Sequence, residues 1–154
     1  MATAVSGSVS SGGGAVFVYG SLLADDVVRL LLNRIPQTSP AFLNGYHRFS
    51  IKGRVYPAIS PVENSKVIGR VLIGLSAKEL DILDEYEAEE YDKKLVDVYL
   101  LDTSEVLQAY TYVWGNSVDP DLYGEWDFED FKAAKLKDYV ERTKRYVEEM
   151  AYDL

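Results

Sequence analysis

The 154 residues fit one compact domain and carry 16 Lys and Arg against 25 Asp and Glu, a formal charge of -9 whose mean field repels nucleic acid and anionic membranes. Cysteine is absent and His47 is the single histidine, which removes disulfides, thiolate metal sites, cysteine nucleophiles and multi-histidine metal centres together. No apolar run approaches the roughly 20 residues that span a bilayer, and the start lacks a basic segment followed by a signal-peptide core. The expectation is a soluble, cytoplasmic protein with no metal and no cofactor.

Met1 to Gly14 are small residues, among them Ser8, Ser10 and Ser11, with too little apolar area to fold. A disordered tail is expected there, leaving 15–154 as a single domain. The apolar run Ala15-Val16-Phe17-Val18 then enters Tyr19-Gly20-Ser21-Leu22. A glycine at the end of a strand lets backbone amides turn toward a carboxylate or an oxyanion, and Ser21 adds a hydroxyl. The same residues also make an ordinary strand-to-helix turn, and spacing alone does not choose. No Lys-Ser/Thr follows for a phosphate loop, and no Gly-x-Gly-x-x-Gly opens the helix.

Leu22 to Ile35 reads as a short buried helix that stops at Pro36, with Asp25 and Asp26 suited to its first turn. Strands are predicted over Ala41–Ile51, Pro57–Ser60, Val67–Leu75, Tyr91–Leu101 and Val106–Trp114, each rich in Val, Ile, Leu or Tyr and bounded by turn residues. They follow one another rather than alternating with helices. The class is therefore α+β, with a mixed or antiparallel sheet, open or closed into a small β-barrel, rather than a doubly wound one. Ser76-Ala77-Lys78-Glu79 is a capping-box pattern opening a further helix. From Phe128 onward, Phe131, Leu136, Tyr139, Val140, Tyr146, Val147 and Met150 recur near helical spacing, predicting a C-terminal amphipathic helix that docks on its own sheet or on a partner, the former being the simpler reading.

Asp81, Asp84, Glu85, Glu87, Glu89 and Glu90 crowd one segment, and such a run is ordinarily a solvated face. If the helix from Ser76 continues one turn past Asp84, Glu87 falls near the face of Leu80 and Leu83, at about 100° per residue, while Glu85 and Glu89 point away. An inward carboxylate either bonds structurally to a tyrosine or an amide, or has its pKa raised toward that of a useful base.

The ordered set Tyr19-Gly20-Ser21-Leu22, Tyr56-Pro57-Ala58, Gly69-x-Val71, Leu83-Asp84-x-Tyr86-Glu87 and Tyr91-x-Lys93-x-x-Val96-x-Val98 resembles the gamma-glutamyl cyclotransferase-like family, and especially its plant avirulence-induced branch. The resemblance covers about Ala15 to Trp114. It implies a barrel of six or seven strands, with a cavity between the Tyr-Gly-Ser-Leu turn and the glutamate. It implies Glu87 as the acid/base residue, and Val16, Phe17, Val18, Tyr19, Gly20, Ser21 and Leu22 as the loop holding a glutamyl moiety. Lys93 stands where many relatives carry Arg, losing a planar fork.

The reaction implied is cyclisation of a small γ-glutamyl substrate to 5-oxoproline with release of an amine. A second reading is a non-catalytic small-ligand-binding or stress- and defence-response module on the same fold. The two are separated by whether Glu87 faces a ligand space or is bonded only to protein. The leaving amine and the oligomeric state are not legible.

Overall fold

A computed structural model describes residues 14–152. Its first strand, β1 (Gly14–Val18), starts one residue inside the expected tail, with Gly14 opposite Leu75; the rest of that tail lies outside the described residues. Alternate residues of β1 serve two cores. Ala15 and Phe17, and Tyr19 just past the strand, join the cluster inside the barrel, whereas Val16 and Val18 join the layer beneath the helices. Burial on both faces is why this strand reads as an unbroken apolar run rather than an alternating one.

A single 3-10 turn (Ser21–Leu23) leads into α1 (Asp25–Leu32), which ends at Asn33 in a left-handed conformation, φ 60°. Two long strands follow, β2 (Gln37–Ile51) and β3 (Ala58–Leu75), paired antiparallel along most of their length. The two short strands expected over Pro57–Ser60 and Val67–Leu75 are thus one. The polar stretch between them, exposed from Pro61 to Asn64, carries no apolar signal. The hairpin absorbs it at a register shift near Gly45, whose φ of 83° suits a residue without a Cβ.

The capping box then opens α2 (Ala77–Tyr86): Ser76 Oγ accepts from the Glu79 N–H at 3.1 Å, and Glu79 Oε1 accepts from the Ser76 N–H at 3.0 Å. β4 (Tyr91–Leu100) and β5 (Val106–Trp114) form an antiparallel pair, and the two-residue β6 (Leu122–Tyr123) adds to the end of β2. The expected C-terminal helix is broken at Lys135 into α3 (Phe128–Ala134), capped by Asp127, and α4 (Leu136–Tyr152). Tyr139, Val140, Tyr146 and Val147 of α4 pack on the layer formed by Val27, Leu31, Leu72 and Leu83, so the helix docks on its own barrel.

The strands run β3-β1-β5-β4-β2, and β2 pairs back with β3. Five strands close the barrel, not the six or seven that the resemblance implies; β6 stands outside the ring. Every pairing is antiparallel except β1 with β5. Closure also leaves the ring without free edges.

Candidate active site

A cavity of about 260 Å³ opens where β1 ends. That size suits a small molecule. Phe17, Val18, Tyr19, Gly20, Ser21 and Leu22 form one wall and Tyr56 and Pro57 a second. Val16, expected in the same loop, is not among the lining residues; it is fully buried in the layer under the helices.

The turn is fixed from outside by two arginines. Arg48 of β2 donates to the Tyr19 carbonyl at 2.9 Å and to the Ile68 carbonyl at 3.1 Å. Arg70 of β3 donates to the Leu22 carbonyl at 2.9 Å and pairs with Asp25 at 2.7 Å. A trans peptide points its N–H opposite its C=O, so holding the Tyr19 carbonyl aims the Gly20 N–H away from Arg48. Within the turn, Leu23 N–H bonds to the Gly20 carbonyl and Ala24 N–H to that of Ser21. The Ser21 and Leu22 amides precede the first such bond and are left for another acceptor. An added Cβ on Gly20 would lie 2.9 Å from Cδ of Pro57, so the opposite wall, rather than backbone strain, requires glycine here.

The third wall is the joint between α2 and β4, with Tyr86, Glu87, Ala88 and Tyr91, joined by Tyr112 of β5. Sequence periodicity places Glu87 on a continuing helix. Instead α2 stops at Tyr86, and Glu87 is its C-cap in extended conformation, φ -75° and ψ 147°, with its N–H on the Leu83 carbonyl at 3.2 Å. The carboxylate reaches the cavity because the chain turns outward there, over the fully buried Leu83. Glu85 and Glu89 are exposed.

Among the described residues the Glu87 side chain has no hydrogen-bond or ion-pair partner. Burial, and after it the charge of Asp84, push its pKa up to about 7. Asp84 itself is held by the Tyr112 hydroxyl at 2.6 Å and by Lys93 at 3.0 Å. Lys93 therefore serves Asp84 and is not among the lining residues. His47 also lies away from the cavity, with Nε2 2.8 Å from the Gly124 carbonyl oxygen.

Seven of the twelve tyrosines line the space. Burial, as the first cause, holds Tyr19, Tyr86, Tyr91, Tyr112 and Tyr146 above the ordinary phenol range. They remain neutral hydroxyls at physiological pH. Tyr91 donates to the Pro57 carbonyl and Tyr19 to that of Tyr112, so two walls are tied through phenols.

The last wall was missed by the sequence reading, which leaves the C-terminal helix outside the recognisable segment. Tyr139, Arg142, Thr143 and Tyr146 of α4 face the cavity, one helical stripe at i, i+3, i+4 and i+7. Thr143 gives its hydrogen to the Tyr139 carbonyl at 3.0 Å, so Tyr86 is the donor in the 2.9 Å bond between Tyr86 and Thr143. The i+3/i+4 spacing of polar Arg142 and Thr143 between tyrosines was the available signal.

The closed five-stranded mixed barrel flanked by helices is the cyclotransferase-like class of fold. The family model described as gamma-glutamyl cyclotransferase, AIG2-like, matches residues 16–128, and the chain belongs to that family. The AIG2-like protein D of Arabidopsis thaliana is 58% identical over 137 residues, covering 88% of this chain and 90% of that protein. A solution structure of another Arabidopsis thaliana protein is 42% identical, with a TM-score of 0.69, covering 88% of this chain and 91% of that one. A yeast gamma-glutamyl cyclotransferase described as specific to glutathione shares the fold at 15% identity and a TM-score of 0.55, covering 90% of this chain and 97% of that one.

Proposed function

We propose that the protein is a cytoplasmic gamma-glutamyl cyclotransferase that converts a small γ-glutamyl compound to 5-oxoproline and a free amine. The observation that carries this reading is Glu87, a carboxylate with raised pKa and no protein partner among the described residues, on the wall of a cavity that also exposes the Tyr19–Leu22 turn. A binding module without turnover is better served by a glutamate engaged with protein groups.

The substrate's α-amine attacks its own γ-carbonyl carbon, and a C–N bond forms as the bond to the departing nitrogen breaks. Nucleophile and electrophile share one molecule, so the cavity's task is to fold the substrate into attack geometry. Glu87 accepts a proton from the attacking nitrogen and returns one to the leaving nitrogen, and a pKa of about 7 suits both transfers at neutral pH. The amides of the Gly20–Leu22 turn hold the glutamyl group and face the oxygen that gains charge. No water or cofactor enters the balance.

The test is a screen of γ-glutamyl dipeptides for 5-oxoproline release. The wild type is expected to release it and Glu87→Gln to do so at least about 100-fold more slowly. An equally active Gln variant removes Glu87 from the mechanism, and no release from any compound removes the reading itself.

A further inference from the structure

Among the described residues, Arg142 is the one Lys or Arg lining the cavity, and Glu87 is the one acid. They stand on different walls. Glu87 belongs to the joint after α2, inside the stretch that the family model matches, whereas Arg142 belongs to α4, beyond its end at 128. The tyrosines between them supply neutral hydroxyls, so Arg142 is the one formal positive charge that the lining offers a bound anion.

The side chain is set up for an outside partner. It is exposed, which places it at the rim, and it makes no ion pair among the described residues. Its guanidinium lies over the Tyr139 ring at 5.4 Å, a stacking that restrains the long side chain while leaving its edge donors free. Thr143, the next residue, is nearly fully buried and tied to Tyr139 and Tyr86, so this turn of α4 is anchored to the wall that carries Glu87.

Given the cyclotransferase reading, on which this rests, the glutamyl half of the substrate is served by the Tyr19–Leu22 turn and its amine by Glu87. Neither supplies a cation for the departing half. A chain of formal charge -9 repels a substrate bearing two carboxylates, which raises the value of a single positive group at the entrance.

We infer that Arg142 is a specificity-determining residue that reads a carboxylate on the leaving group, so that γ-glutamyl amino acids and peptides are selected over γ-glutamyl amides of simple amines. The planar fork matches a carboxylate bidentately.

The experiment compares γ-glutamyl-alanine with γ-glutamyl-ethylamide, which lacks only the leaving-group carboxylate. In wild type the alanine compound is expected to be favoured at least tenfold in kcat/KM, and in Arg142→Gln that ratio is expected to fall by about tenfold, or about 1.4 kcal/mol. Arg142→Lys should lie between. Calorimetric binding of the same two compounds to Glu87→Gln protein, with and without Arg142→Gln, asks the question without turnover, so a failure of the catalytic reading leaves this arm legible. Equal losses for both compounds would mean that Arg142 holds the glutamyl carboxylate or only shapes α4, and an unchanged ratio would mean that it reads nothing; either overturns the inference. Binding of neither compound overturns it together with the cyclotransferase reading.

Discussion

Tyr112 donates its phenolic hydrogen to Asp84 at 2.6 Å while Lys93 holds the other Asp84 oxygen at 3.0 Å. The charge that acts on Glu87 is thereby fixed in place by groups from β5 and β4.

Asp84→Asn removes that charge and leaves Lys93 unpaired nearby, and both changes favour the ionised form of Glu87. The rise of kcat/KM with pH, centred near 7 in wild type, should move to lower pH. It should stay above the ordinary carboxylate value, because burial is the larger cause. An unchanged or alkaline midpoint would assign the profile to another group.

Glu87→Gln should also alter stability with a definite sign. A carboxyl whose folded pKa is raised binds more protons folded than unfolded between roughly 4.3 and about 7. Its favourable contribution is complete below that window and is lost as pH rises through it. The variant carries no such loss. At pH 8 it should exceed wild type by on the order of 1–2 kcal/mol, discounted because the group still sees cavity water, and the gap should close near pH 4. Urea denaturation at the two pH values measures this. Exposed Glu85→Gln and Glu89→Gln should show neither effect nor a loss of turnover beyond about twofold.

Gly20→Ala places a Cβ 2.9 Å from the Pro57 ring, and proline is a stiff neighbour whose own carbonyl is engaged by Tyr91. The turn must shift relative to the second wall. Binding of a γ-glutamyl compound or of 5-oxoproline should weaken at least about tenfold, and Ser21→Ala should do less because its amide remains. Calorimetry giving equal affinities for wild type and Gly20→Ala would make the turn structural only.

Gly69→Ala is the more damaging glycine change. Its Cβ would lie 2.2 Å from the Val18 carbonyl oxygen and 3.1 Å from Cζ of Phe17, a collision with backbone between β3 and β1. A loss of at least about 2 kcal/mol is expected in denaturant midpoints. A variant within 0.5 kcal/mol, roughly the range of neutral surface changes, would show that β1 can slide.

The parts legible in the sequence were those set by local chemistry. The capping box at Ser76 fixed a helix start, Asp25 and Asp26 fell in the first turn of α1, and the apolar runs of β1, β4 and β5 were long enough to declare themselves. The exposed polar half of β3 was invisible because its hydrogen bonds come from β2, not from any property of its own residues. Helical phase turns Glu87 inward and it does line the cavity, but as the C-cap of a helix that ends before it, so the backbone reason differs. Val16 was assigned to the ligand loop by resemblance, yet strand alternation alone sends it to the opposite core. Arg142 and Thr143 escaped because a polar pair on an amphipathic helix looks like solvated surface until the barrel supplies the facing wall.

The position of β1 between β3 and β5 has a consequence for when the site comes into being. Tyr19 reaches the Tyr112 carbonyl across 93 positions, and Thr111 the Phe17 carbonyl across 94. Contacts of that separation carry a large loop-closure entropy, which topologies rich in them meet at a cost in folding rate. A nascent chain that has emerged only as far as β4 already contains the turn and Glu87, yet its first strand still waits for one of its two neighbours. The turn and the wall that carries Glu87 are therefore joined through β5, and α4, further along the chain, adds the last wall only after the ring is complete.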